Sequence, residues 1–122
     1  MSLLKNLLFV DDEKEILDIL VDLFSADGYS LHTATKASEA LKISDDHDVD
    51  FVLSDLKLPD ASGTELLDQI RTRHPKAVRV LTSGYLDVKF GQVAEDKQNG
   101  MYYVSKPWDL FALKNLVTEQ VG

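Results

Sequence analysis

The sequence predicts an α/β fold in which a parallel sheet is covered by helices on both faces. Three observations predict it. Apolar runs of strand length alternate five times with segments of helical period. The strands read as continuous apolar stretches, as strands buried on both faces do. Four of them end in a residue able to do chemistry, which is where open α/β sheets place their sites.

The elements follow in order. Leu7 to Val10 is the first strand, and it ends in Asp11-Asp12-Glu13. From Lys14 the period changes: Ile16, Leu17, Leu20, Leu23 and Phe24 lie at helical spacing, and Asp27-Gly28 stops the helix. Tyr29 to Thr33 is a second strand, weaker and nearer an edge. Ser38 to Ile43 forms a short helix with Thr35 or Ser38 as its N-cap. The third strand, Val49 to Ser54, delivers Asp55, and Pro59 and Gly63 mark the loop that follows. Thr64 to Arg73 is a helix carrying Leu66, Leu67 and Ile70, with Arg71 and Arg73 as a charge pair at its C-terminus.

Ala77 to Thr82 is the fourth strand, closing in Ser83-Gly84-Tyr85. The segment Asp87 to Gln98 has only a thin apolar stripe of Val88, Phe90 and Val93, interrupted by Gly91. It is expected to be a marginal, mobile helix ended by Asn99-Gly100. Met101 to Val104 is the fifth strand, followed by Ser105-Lys106-Pro107-Trp108. Asp109 caps the last helix, whose apolar face is read as Phe111, Leu113, Leu116 and Val117, with Trp108 packing against it.

Composition narrows the function. At 122 residues the chain fits one domain, 1–122. The 13 basic and 21 acidic residues leave a net charge of −8, which argues against gripping nucleic acid. Much of that excess reads as a solvated surface. There are no cysteines, so disulfides and thiolate chemistry are excluded. No apolar run approaches the roughly 20 residues of a membrane span, and no signal peptide precedes the first strand. A cytoplasmic domain without membrane contact is expected.

In a parallel sheet Asp11, Asp12, Asp55, Ser83 and Lys106 all fall at the carboxyl edge and converge on one crevice. Taken alone, Asp55 also fits a strand-ending acid that caps a loop; the convergence is what favours chemistry. Carboxylates brought together repel unless neutralised. Oxygen ligands without His or Cys suit Mg²⁺ before zinc, with Mn²⁺ able to substitute. Lys106 adds a positive charge and Ser83 a hydroxyl. The set suits a carboxylate attacking phosphorus while cations stabilise the transferred oxygens.

These residues resemble a response-regulator receiver domain, the phosphoacceptor module of two-component signalling, over essentially the whole chain. The resemblance rests on Val10-Asp11-Asp12, on Asp55 followed by Pro59 and Gly63, on Ser83-Gly84, and on Lys106-Pro107. It implies a five-stranded parallel sheet of flavodoxin-like order 2-1-3-4-5. It implies that Asp55 accepts a phosphoryl group from a phosphohistidine of a sensor histidine kinase or phosphotransfer protein. Asp12 would hold Mg²⁺ directly, Asp11 through water, Asp55 as a further ligand, and Lys57 through its backbone carbonyl. Lys106 would bind phosphate, with Ser83 the switch hydroxyl and Tyr103 the switch aromatic. Lys57 and Tyr85 occupy positions that tune dephosphorylation in this family.

The resemblance further implies an output domain or partner on the face of Asp87–Gln98, Met101–Val104 and the last helix, and homodimerisation on activation. The ending Lys106-Pro107-Trp108-Asp109 resembles receivers attached to other modules. An aspartyl-phosphate phosphatase would instead need an acid where Lys57 stands. A docking-only relative would have no need of the five pocket residues, all present. His32, His47 and His74 are scattered and read as surface histidines, and Asp45-Asp46-His47-Asp48 as a solvated loop.

Overall fold

The computed structural model describes residues 4–84 and 93–122. The first apolar runs form β1 (Asn6–Val10), β2 (Ser30–Ala34) and β3 (Val49–Asp55), joined by α1 (Lys14–Phe24) and α2 (Ala37–Asp46). α3 (Gly63–Arg73) leads to β4 (Val78–Ser83). β5 (Val93–Asp96), β6 (Met101–Ser105) and α4 (Leu110–Val121) complete the chain. The sheet order is β2-β1-β3-β4-β6-β5. The first five of these positions are the expected 2-1-3-4-5 arrangement, and all their pairings are parallel.

The addition is β5, which pairs antiparallel with β6, Asp96 opposite Met101 and Val93 opposite Val104. This corrects the expected helix over Asp87–Gln98: residues 93–96 are an edge strand, while 85–92 lie outside the described residues. The turn and what holds it give the reason. Asn99-Gly100 does not end a helix but turns a hairpin, with Gly100 at φ 66°, a conformation side chains disfavour. Asp96 accepts the Asn99 backbone N–H and side-chain amide at 3.2 and 2.7 Å, closing the turn. Arg79, 4% exposed on β4, donates to the Asn99 and Gly100 carbonyls and fastens the turn from beneath.

Alternate strand residues divide between two cores. Leu7, Phe9, Phe51, Leu53 and Val80 meet Leu17, Leu20 and Phe24 of α1 and Leu113, Leu116 and Val117 of α4. Leu8, Val10, Val52 and Leu81 meet Ala40 of α2 and Leu66, Leu67 and Ile70 of α3. Phe9 stacks on Phe24 at 5.6 Å and meets Phe51 edge-on at 6.4 Å, joining α1 to the sheet. Phe111 is not in the core: at 83% exposed it corrects the predicted α4 face. Two residues before Leu113, it sits about 200° around the helix from it.

The starts of α2, α3 and α4 are capped in two ways. Ser62 caps α3 by accepting the Glu65 N–H at 3.1 Å, and Asp109 caps α4 by accepting from Phe111 and Ala112 at 3.0 and 3.2 Å. The start of α2 is different. Neither Thr35 nor Ser38 caps it: Thr35 is engaged with Glu39, and Lys36 stands at the N-cap without a side-chain bond. The Asp60 carboxylate caps it from the β3–α3 loop, accepting Ala37 and Ser38 N–H at 2.8 and 3.0 Å. These amides, Ser38 first, hold the Asp60 carboxyl below its ordinary pKa.

Candidate functional site

Parallel pairing brings four strand ends to one edge. Asp55 is the last residue of β3 and lies opposite Thr82 of β4; Ser83 ends β4 opposite Ser105, which ends β6. Asp11 follows β1, fixed by its N–H bond to Ala34 of β2 at 3.1 Å. Lys106 follows β6, and its N–H donates to the Ser83 carbonyl at 3.0 Å.

The carboxylates of Asp11, Asp12 and Asp55 each offer an oxygen within 4.8 Å of the others. Asp11 is buried, Asp55 half-buried and Asp12 exposed, so the cluster opens to solvent on one side. Asp11 Oδ1 accepts the Glu13 N–H at 2.9 Å, which aims its other oxygen into the cluster. Lys106 Nζ donates to that Oδ2 at 2.8 Å and lies 3.7 Å from Asp55 Oδ1. Asp55 Oδ1 also accepts the N–H of Leu56 at 3.0 Å.

Three carboxylates face one ammonium. Burial raises the Asp55 carboxyl above its ordinary pKa; Lys106 and the Leu56 amide oppose the rise, while the charges of Asp11 and Asp12 reinforce it. Burial alone would lower the Lys106 ammonium, but the hydrogen bond and charge of Asp11, with Asp55 and Glu13 behind, hold its pKa above the usual lysine value. An oxygen-only donor set with excess negative charge fits a small hard cation such as Mg²⁺.

The loop after Asp55 is folded tightly back. Gly63 N–H donates to the Leu56 carbonyl at 2.7 Å, and Leu58 N–H to Ala61 at 3.1 Å. Lys57 bridges to Ser62 across this loop. Gly63 is required by close approach: a Cβ there would stand 2.1 Å from the Asp55 carbonyl oxygen and 2.9 Å from Leu81.

Of the predicted site residues, Asp11, Asp12, Asp55 and Lys106 come together, and Ser83 is buried beside them at the end of β4. Tyr103 packs against the α2–α3 core, and its hydroxyl donates to Asp96 of β5 at 3.2 Å. Burial first, then Asp96, raises its phenol pKa. Tyr85 lies outside the described residues. His32 and His47 are not independent surface residues: their rings are 4.3 Å apart.

One contact beside Lys106 leaves no trace in the sequence. Trp108 packs against the α1–α4 core as expected, but its Nε1–H also donates to Thr82 Oγ1 at 2.7 Å, and its ring lies 5.8 Å from Lys106 Nζ. No local pattern signals a bond between residues 26 apart.

Comparison with known proteins agrees with this geometry. The family model for the response regulator receiver domain matches residues 7–118. The chain is 30% identical to the regulatory protein AtoC of Escherichia coli over 121 residues, covering 98% of this chain and 26% of AtoC. It is 31% identical to the sensor kinase CckA of Brucella abortus over 119 residues, covering 95% of this chain and 12% of that protein. The chain therefore spans 26% and 12% of these two relatives' own lengths. A CheY-like response regulator receiver domain from Methanospirillum hungatei superposes with a TM-score of 0.81 at 27% identity, covering 98% of this chain and 94% of that one.

Proposed function

The chain belongs to the response regulator receiver domain family, and from that premise we propose that Asp55 is its phosphoacceptor. The donor is a phosphohistidine on a sensor histidine kinase or phosphotransfer protein. The supporting observation is the convergence of Asp11, Asp12 and Asp55 within 4.8 Å under the Lys106 ammonium. The receiver unit is read as residues 1–122, and its setting as cytoplasmic. Among the described residues no helix is long and apolar enough to cross a membrane.

In the proposed reaction an Asp55 carboxylate oxygen forms a bond to phosphorus as the P–N bond of the phosphohistidine breaks. The nitrogen leaves with the bonding electrons, as neutral imidazole when its other nitrogen carries a proton. Asp11, Asp12 and Asp55, with the Lys57 carbonyl, would hold Mg²⁺, which when bound supplies charge neutralisation for the phosphoryl oxygens. Lys106 meets the transferred group's negative charge, and the Ser83 hydroxyl donates to one of its oxygens. Autodephosphorylation ends the signal, its rate set by Lys57 and Tyr85.

A phosphoryl group carries about −1.5 to −2 charge and three strong acceptors. Moving a two-state domain from 1:99 to 99:1 takes about 5.5 kcal/mol. Charge-assisted hydrogen bonds contribute about 1.5–3 kcal/mol each, so about two to four formed only in the phosphorylated state suffice. Ser83 and Lys106 are the groups assigned to make them. The readout face is β6 with its β5 hairpin and α4, where Tyr103 is the reporter. An output domain, a partner or a second copy would read that face.

Intact-mass analysis after incubation with acetyl phosphate tests the reading. One phosphoryl adduct is expected with Mg²⁺, none with Asp55→Asn, and none without metal. An adduct that persists in Asp55→Asn would overturn it.

A further inference from the structure

The last two residues of β4 hold both loops of the site. Thr82 accepts the Leu56 N–H on its carbonyl at 2.9 Å, one residue after Asp55, and the Trp108 Nε1–H on its hydroxyl at 2.7 Å. Ser83 accepts the Lys106 N–H on its carbonyl at 3.0 Å. Thr82 is 1% exposed, so the hydroxyl that accepts from the half-buried Trp108 is itself shielded from water. The turn from Lys106 to Trp108 is thereby tied to β4 at both ends.

A lysine side chain is a flexible stem whose aim depends on where its backbone is fixed and what flanks it. Here the Trp108 ring, 5.8 Å from Nζ, flanks the ammonium while Asp11 and Asp55 attract it. Loss of the Thr82–Trp108 bond would leave the turn joined to the end of β4 through the Ser83–Lys106 bond, with more freedom for the turn and its lysine to shift. A displacement of 1 Å is enough to weaken a positioned charge.

We propose that Trp108 is a positioning residue: through its bond to Thr82 and its ring beside Nζ, it sets Lys106 against the phosphoryl group that Asp55 receives. This rests on the reading of Asp55 as phosphoacceptor. Trp108 touches neither donor nor metal in this scheme and acts only through Lys106 and Thr82. The same bond couples the Asp55 loop to the start of α4 through one residue, Thr82.

The test measures the second-order rate of adduct formation from acetyl phosphate and Mg²⁺ in wild type, Trp108→Phe, Thr82→Val, the double variant and Thr82→Ser. Melting temperatures confirm that each folds. Trp108→Phe and Thr82→Val should each slow uptake by about tenfold, the change expected from losing one positioning, part-buried hydrogen bond. The double variant should be no slower than the slower single, because both remove the same bond. Thr82→Ser, which keeps the hydroxyl, should recover most of the rate. Uptake by wild type with unchanged Trp108→Phe and Thr82→Val rates would overturn this inference alone, as would effects that multiply in the double variant. No uptake by wild type would overturn the phosphoacceptor reading along with it.

Discussion

Lys106 is bonded to Asp11, at 2.8 Å, and stands farther from Asp55, at 3.7 Å. The cation assigned to the phosphoryl group therefore rests, in the unphosphorylated chain, on a carboxylate assigned to the metal. A metal bound there would compete with the lysine for one side chain.

Removing the lysine should therefore tighten metal binding even as it slows chemistry. A charge-assisted hydrogen bond is worth about 1.5–3 kcal/mol, so Lys106→Met should bind Mg²⁺ at least several-fold more tightly than wild type. Calorimetric titration of both proteins with Mg²⁺ checks this. Equal or weaker binding by the variant would mean that Asp11 is not a ligand.

Asp55→Asn should raise stability at neutral pH. The Asp55 carboxyl is pushed above its ordinary value of 3.8, by burial first and by Asp11 and Asp12 with it. The folded state thus holds its proton to higher pH than the unfolded chain does. Stability from this group is greatest below pH 3.8 and is lost as pH rises through the raised folded value. At pH 7 the substitution should raise Tm by roughly a few degrees, with the gain shrinking in acid. Saturating Mg²⁺ should stabilise wild type more than the variant. Thermal melts at pH 4 and 7, with and without Mg²⁺, decide it.

Gly63→Ala should damage fold and site together. The added Cβ would meet the Asp55 carbonyl oxygen at 2.1 Å, a backbone atom that moves only if the end of β3 moves. A loss of about 2–4 kcal/mol is expected in urea unfolding, and slower phosphoryl uptake in the protein that still folds. Wild-type stability in this variant would contradict the close approach.

His32 should make the protein acid-sensitive at the opposite end of the sheet. Burial first, then the charge of His47, holds its imidazole below the ordinary 6.5. The unfolded chain takes up the proton first, so stability is complete above pH 6.5 and declines as pH falls toward the lowered folded value. His32→Gln should flatten the change in urea midpoint between pH 7.5 and 5.5. An equal slope in both proteins would remove His32 from the account.

The fold and the five pocket residues were legible because both rest on local signals. Apolar runs set the strands, and the polar residue ending each run places it at the carboxyl edge. What was hidden depends on contacts distant in sequence. β5 exists through pairing with β6 and through Arg79 holding the Asn99-Gly100 turn; the stretch itself is too thinly apolar to announce a strand. Asp60 caps a helix 23 residues away, and Trp108 bonds Thr82 across 26. Phe111 differs from its expected place for another reason: it is a hydrophobic residue in the first turn of α4, but its angle puts it outside the core face.

Residue-level mapping of the phosphoryl group decides whether Asp55 is the acceptor. Borohydride reduces an aspartyl phosphate to homoserine, a change that peptide sequencing by mass spectrometry locates. After phosphorylation with Mg²⁺ present, that conversion is expected at Asp55 alone. Conversion at Asp11 or Asp12, or none at Asp55 in protein carrying an intact phosphoryl adduct, would contradict it.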